Sequence, residues 1–395
     1  MTDAVSLLGG IRVVELGGGL AGAICGKFFA DLGADAILVE PPRRGCEVRW
    51  QEPFLDNRPG VDRGGLFLYT GAGKRGLTLD LKHPDGWRIF QRLSSRCDLV
   101  IDDRVDASDS AALQTSNTRL VWLNLRNFGT GGPYSNFAAT ELQMAALGGW
   151  MVQVGEPDRT PLASNSLTMT AFVAGLTGAG AAMAAVIRAR RDGQPSNIEL
   201  AEQEALLFST RYNETYYSYV GTEIKRCGKS FGGWTPTYRV FEASDGFVSC
   251  AASTDAQVES LMLLAGVGLE RFPTRDDRYD RAEEFLTELN KWFRSKTRDE
   301  IFHEAQAWRV PMGKVATIDE VMTLEQLAAR DFFDRVEHPV TGAHALPGTP
   351  VMINSTRPRP RRPAPILGEH NVEILCDELG YSSDDLRALG NNGVI

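Results

Sequence analysis

The sequence predicts an α/β protein: a doubly wound parallel sheet, with a smaller α+β domain set into the chain after it. Three observations carry this. Residues 11 to 40 read strand, glycine turn, helix, strand; the β-α-β alternation recurs up to residue 125; and the pattern changes after a compositional break at residues 221 to 237.

The opening stretch, IRVVELGGGLAGAICGKFFADLGADAILVE, sets the frame. Ile11 to Leu16 suit a strand, Ala21 to Leu32 an amphipathic helix ended by Gly33, and Ala36 to Val39 a second strand closed by Glu40. A tight strand-to-helix turn needs backbone without a Cβ, and it leaves the first helical N–H groups facing outward, where an anion can sit. Gly17, Gly19 and Gly22 spell GxGxxG, and Glu40 lies at the spacing of a ribose-binding acid. A dinucleotide site is one reading of that pattern, and close packing of helix on sheet is the other.

KRGLTLDLK (74 to 82) alternates like a half-buried strand, Asp85 opens a helix carrying Trp87, Ile89, Phe90 and Leu93, and Leu99 to Ile101 form the next strand. Residues 104 to 118 read as a loop with one short helix. Leu120 to Leu125 follow as a strand, and NFGTGGPYSNF after it is a shaped loop at a strand's carboxyl end, where such sheets bind ligands. Glu141 to Leu147 are a helix stopped by Gly148 and Gly149. The apolar run Ala171 to Ile187 belongs to a small-residue helix that falls short of a membrane span and reads as buried; its RARRDG end suits a helix C-terminus. Ser196 to Leu200 form a strand, and one long helix runs from Ala201 to Val220.

These elements make residues 1–220 a large domain and 221–237 a linker. Residues 238–325 are a small α+β domain with a strand pair around SDG (244 to 246) and helices near 255–265, 279–294 and 297–308. Residues 326–395, with the Pro-rich RPRPRRPAPILGEH, return to the large domain or embrace a partner chain. Lys and Arg number 42 against 51 Asp and Glu, a net charge of -9 that argues against a nucleic-acid partner. The six scattered cysteines form no CxxC and have no histidine at metal spacing, so a reduced cytoplasmic setting without a metal is expected. MTDAVSLLGG has no signal-peptide pattern, and no membrane association is expected.

Several blocks in order resemble the class III coenzyme A transferase family, which includes formyl-CoA transferases, carnitine CoA-transferases and α-methylacyl-CoA racemases. They are LAGAICGKFFADLGADAILVEPP (20 to 42), KRGLTLDLKHPDG (74 to 86), NFGTGGPY (127 to 134), IRARRDGQPSNIELAEQEALL (187 to 207), DGFVSCAAS (245 to 253), VPMGKV (310 to 315), ARDFF (329 to 333) and APILGEH (364 to 370). The resemblance implies a Rossmann-like large domain built from both ends of the chain, and two chains interlocked as rings. It implies CoA or acyl-CoA as a substrate, with no permanently bound cofactor. Gly19, Leu20 and Ala21 would lie near the nucleotide, Lys74 and Arg75 near its phosphates, and Arg126 further along. For Lys74 and Arg75 a solvated strand entry is the plainer alternative. The family's ENF-like segment reads Asp102, Asp103, Arg104 here and lacks its following PG, so Asp103 and Arg104 put a carboxylate beside the CoA groove.

Transferases of this family use an aspartate that attacks the thioester. The resemblance puts that position at Thr170, and residues 159 to 186 contain no Asp or Glu. The racemases' His and Asp fall on Thr140 and Thr170, which cannot exchange an α-proton. Glu141 matches a position acidic in much of the family and can form the same thioester, or it simply starts a helix with Thr140 as N-cap. Three readings follow: a subunit paired with a homologous aspartate-bearing chain, as in benzylsuccinate CoA-transferases; a self-sufficient transferase using Glu141; or a CoA-binding protein without turnover. The first fits retained binding blocks with a missing nucleophile. Phe128, Tyr134, Trp150 and Trp234 are candidates for an acyl pocket or for ordinary core.

Overall fold

The computed structural model describes residues 6–104, 110–163, 168–209, 211–223, 225–230 and 235–395. They divide into two units: residues up to 148 with 165–210 and 326–395, and residues 149–164 with 211–325.

The first unit is built on six parallel strands in the order β3-β2-β1-β4-β5-β6. These are β1 (Arg12–Leu16), β2 (Asp35–Glu40), β3 (Arg75–Thr78), β4 (Leu99–Asp102), β5 (Val121–Arg126) and β6 (Ser196–Ala201). Helices α1 (Leu20–Asp31), α2 (Gly65–Gly71), α3 (Pro84–Ser94), α4 (Ser110–Ser116), α5 (Glu141–Leu147) and α6 (Met169–Asp192) lie between them in the chain, and α7 (Glu202–Ser209) follows β6.

Alternation along the strands sends successive side chains to opposite faces. Val13, Leu38, Ile101 and Leu123 pack against α1 and α6; Val14, Ile37, Val100 and Trp122 pack against Ile89, Phe90 and Leu93 of α3. The second face is completed by Ile374, Leu375, Leu379 and Val394. That cover explains why β3 is buried on both faces, where alternation in the sequence suggested a half-buried strand.

Arg75 fastens the cover. Its guanidinium bonds Asp35 at 2.7 and 2.9 Å and Glu373 at 2.9 Å, and it also pairs with Glu378. Residues 41–65 are held differently. Glu40, fully buried at the end of β2, takes Arg49 in a two-point ion pair at 2.7 and 2.8 Å, and Arg49 also reaches Asp62 and the Pro365 carbonyl.

Two elements of the first unit differ from the sequence expectation. α6 has 24 residues and is long and apolar enough to cross a membrane by length and composition, so the apolar run is longer than read. One side of it is packed in the protein: Gly175 lies so close to the Ala21 carbonyl and Ile24 that a Cβ would clash, while Leu176 and Ile187 are exposed. The helix expected from 201 to 220 is described as α7 and, in the second unit, as α8 (Arg211–Val220), with residue 210 between them outside the described residues. A hairpin, β10 (Phe333–His338) with β11 (Gly342–Pro347), was not anticipated in the returning segment.

The second unit has an antiparallel sheet of β7 (Tyr238–Ala243), β8 (Gly246–Ala251) and β9 (Met312–Lys314), the last also unanticipated. Helices α9 (Asp255–Leu264), α10 (Arg275–Asp280), α11 (Ala282–Arg294) and α12 (Arg298–Ala307) enclose a core around Phe241, stacked on Phe293 at 4.0 Å.

Removing one partner of a buried ion pair strands the other charge in low dielectric. Arg49→Met is expected to lose about 3–5 kcal/mol of stability, read from urea unfolding. Adding Glu40→Gln to that variant should restore part of it.

Candidate active site

The strand order reverses at β1: the chain adds β2 and β3 on one side and β4, β5 and β6 on the other. In such sheets the crevice outside the carboxyl ends of the two strands at the reversal is the ligand position. Leu16 and Asp102 pair there, and the glycine turn and α1 follow directly.

A carboxylate of the protein already occupies this crevice. Asp103 Oδ2 accepts hydrogen bonds from the Gly19 and Gly22 amides, both at 2.8 Å. A Cβ on Gly18 or Gly22 would overlap the Asp103 carboxylate, so these glycines clear space for Asp103. Its Oδ1 is buried with no partner. One turn deeper, Gly26 leaves room for a second buried group, the Glu15–Lys74 ion pair at 2.6 Å, and Lys74 also donates to the Ala23 carbonyl. Burial, followed by the charge of Glu15, pushes the Asp103 carboxyl up to about 7, although the two amide bonds pull it down. Burial likewise raises Glu15 against the pull of Lys74.

The groups implied for CoA binding separate into two sets. Lys74 (1% exposed) and Arg75 (5%) do not present their charges to a ligand: one neutralises Glu15, the other ties β2 to residues 373–378. Glu40 is sealed by Arg49, which removes the ribose-acid reading of the glycine motif. Gly19, Leu20 and Ala21 do lie at the crevice, at the start of α1. Arg104 pairs with Asp102 across 3.0 Å and stays partly exposed. Arg126, at the end of β5, donates from Nη1 to the Asp102 and Leu125 carbonyls, and its Nη2 is buried without a partner.

A second cluster lies at the starts of α5, α6 and α7. Thr170, fully buried in the first turn of α6, donates its hydroxyl to Glu141 Oε1 at 2.8 Å and its amide to both carboxylate oxygens at 2.8 and 3.1 Å. Glu141 therefore serves the N-terminus of α6 and also opens its own helix, where Thr140 is the N-cap as expected and its amide donates to the Gln143 side chain. Asn127, just past β5, donates to the Ala139 carbonyl at 2.8 Å and accepts the Gln203 amide at 3.1 Å, which brings the segment before Glu141 to the start of α7. Glu202 opens α7. Burial, then repulsion from Glu141, raises its carboxyl to about 7.

Sequence reasoning missed Glu202 because it fell inside an expected long helix; its available signal was its position directly after β6. Glu15 was missed too, although a lone acid in a buried strand is visible in the sequence. Phe128 and Tyr134 meet edge to face at 5.8 Å, and Tyr134 stacks on Phe137 at the surface. Trp150 belongs to the second unit, and Trp234 lies outside the described residues. Among the described residues no three His, Cys, Asp or Glu side chains are grouped to hold a metal.

Comparison with known proteins agrees over the whole length. The profile of CoA-transferase family III matches residues 8–371. A succinate–glutarate CoA-transferase of Agrobacterium fabrum is 32% identical, covering 94% of this chain and 95% of its own. The BbsE subunit of succinyl-CoA:(R)-benzylsuccinate CoA-transferase from Thauera aromatica is 28% identical, with 97% of each chain covered. A crystal structure of a CAIB/BAIF family protein from Brucella suis superposes with a TM-score of 0.82 at 27% identity, covering 95% of this chain and 100% of that one.

A carboxyl raised in the folded state binds an extra proton between its unfolded and folded pKa values, so stability falls as pH rises through that interval. For Glu202 the interval runs from 4.5 to about 7. Glu202→Gln should gain about 1–3 kcal/mol relative to the parent between pH 4.5 and 7.5. Urea midpoints across that range are the check, and a constant difference would count against the assignment.

Proposed function

The chain belongs to CoA-transferase family III, and we propose that it moves coenzyme A between an acyl-CoA thioester and a carboxylic acid, with Glu141 as the carboxylate that carries the group. The observation behind this reading is the 2.8 Å bond from Thr170 Oγ1 to Glu141 Oε1. The residue that the resemblance aligns with the family's nucleophile is a threonine, yet a carboxylate reaches the same place from α5.

The chemistry closes on that carboxylate. Glu141 attacks the thioester carbonyl, the C–S bond breaks, and CoA thiolate leaves a mixed anhydride. The thiolate then attacks the Glu141 carbonyl, releasing the acyl group as a carboxylate and forming a glutamyl-CoA thioester. The incoming acid repeats the two steps in reverse order and leaves with CoA, which restores Glu141. An anhydride is reactive enough to pass CoA on. The hydroxyl and amide of Thr170 hold the nucleophile in one orientation. Glu202, neutral over much of the range below pH 7, keeps a second negative charge away from it.

The acyl-CoA lies in this reading along the crevice at Gly19, Leu20 and Ala21, with Arg104 and Arg126 as the cations that would meet it; Lys74 and Arg75 act from inside. Succinyl-CoA is the donor to try first, because the relatives' names share it. Six free cysteines accord with a reducing cytoplasm.

A second reading is favoured by the relative that is named as a subunit: this chain pairs with a homologous, aspartate-bearing chain that supplies the nucleophile. Exposed Leu176 and Ile187 on α6, and Phe208 after it, accord with a partner chain, identical or homologous.

Mass spectrometry after incubation with succinyl-CoA and hydroxylamine or borohydride trapping separates these readings. The expected result is an adduct on the Glu141 peptide and a loss of about a thousandfold or more in kcat for Glu141→Gln. An adduct confined to a co-purifying homologous chain would favour the second reading. No adduct and no such partner would leave a CoA-binding protein without turnover.

A further inference from the structure

The GxGxxG turn and the N-terminus of α1 form the kind of anion seat that holds a nucleotide's phosphates, but the seat is filled from within the protein. Asp103 engages both amides, and Gly18 and Gly22 are shaped around it. The second oxygen of Asp103 is buried without a donor, so its ionised form is only half satisfied.

We propose that Asp103 is an internal competitor for this seat: ionised, it holds the Gly19 and Gly22 amides and repels a ligand's diphosphate; neutral, it lets the diphosphate approach the turn. The inference rests on the reading that CoA binds at this crevice. It makes Asp103 a positioning residue that couples coenzyme affinity to pH.

Charged groups around Asp103 are consistent with a carboxyl that changes state near neutrality. Glu15 faces it from β1, with its charge balanced by Lys74 from the segment before β3. Asp102 from β4 adds to the repulsion but is paired with Arg104. Arg126, from β5, has one nitrogen on the Asp102 carbonyl. From α1 come the two amides and Cys25, a buried thiol that burial keeps protonated. The remaining opposition is burial itself, which favours the neutral acid.

Dephospho-CoA is the cleaner probe, because its diphosphate does not titrate between pH 6 and 8. Calorimetric dissociation constants at constant ionic strength should rise about tenfold from pH 6 to pH 8 for the parent. Asp103→Asn keeps an acceptor for both amides and removes the charge; it should bind with a pH-independent constant near the parent's pH 6 value. A parent without slope, or a variant that keeps the slope, overturns the competitor. Binding by neither protein overturns the coenzyme reading, and the competitor with it. A measurement on the parent alone guards against a misfolded variant. With 15N-glycine labelling and no ligand, the Gly19 and Gly22 amide resonances should move together, with an inflection near neutral pH; resonances that stay fixed overturn the proposal.

Discussion

A parallel sheet must be covered on both faces, and that requirement organises the first unit. α1 and α6 cover one face; α3 covers only part of the other, and residues near 374–379 and 394 fill the rest. The two ends of the chain are therefore parts of one core. Arg75 makes the join directional: it ties Asp35, at the start of β2, to acids on the returning segment, which sets where residues 373–378 lie on the sheet.

The same physical device appears at both candidate sites. α1 and α6 each present an N-terminus with unsatisfied amides, and each receives a carboxylate from a neighbouring segment, Asp103 in one case and Glu141 in the other. The two differ in what surrounds them. Asp103 sits over a buried ion pair and has one oxygen unsatisfied, whereas Glu141 has a hydroxyl as well as an amide on it and a second carboxyl nearby. Each helix end thus orders a carboxylate that a less constrained site would leave mobile, one in the crevice where the strand order reverses and one against Thr170 at the start of α6.

Much of the first unit is legible in the sequence because its signals are local. The glycine turn, the alternation of strands and helices and the stops at Gly33 and Gly148 all act within a few residues. The partners of charged groups are not local. Lys74 meets Glu15 across 59 positions and Asp103 meets Gly19 across 84, and a periodic pattern carries no information about such distances. Lys74 and Arg75 therefore looked like surface cations and proved to be internal ties. Glu141 was legible by resemblance as an acid near the nucleophile position, but its bond to Thr170 comes from the packing of α5 on α6. Glu202 sits where the helix after β6 was expected to begin, but its burial beside Glu141 comes from the packing of α7 near α5 and is not written in that local pattern.

The cover supplied by residues 374–394 also sets an order of events on the ribosome. β1 is made more than 350 residues before the side chains that seal its second face. At about 5–20 residues per second the exposed strip of Val14, Ile37 and Val100 waits for tens of seconds. Residues 238–314, by contrast, are contiguous and enclose their own core of Phe241, Phe272, Phe285 and Phe293, which can close as they are made. The nascent chain thus carries a finished small core while its apolar sheet is still open, the state in which chaperone capture or aggregation competes with the return of residues 374–394.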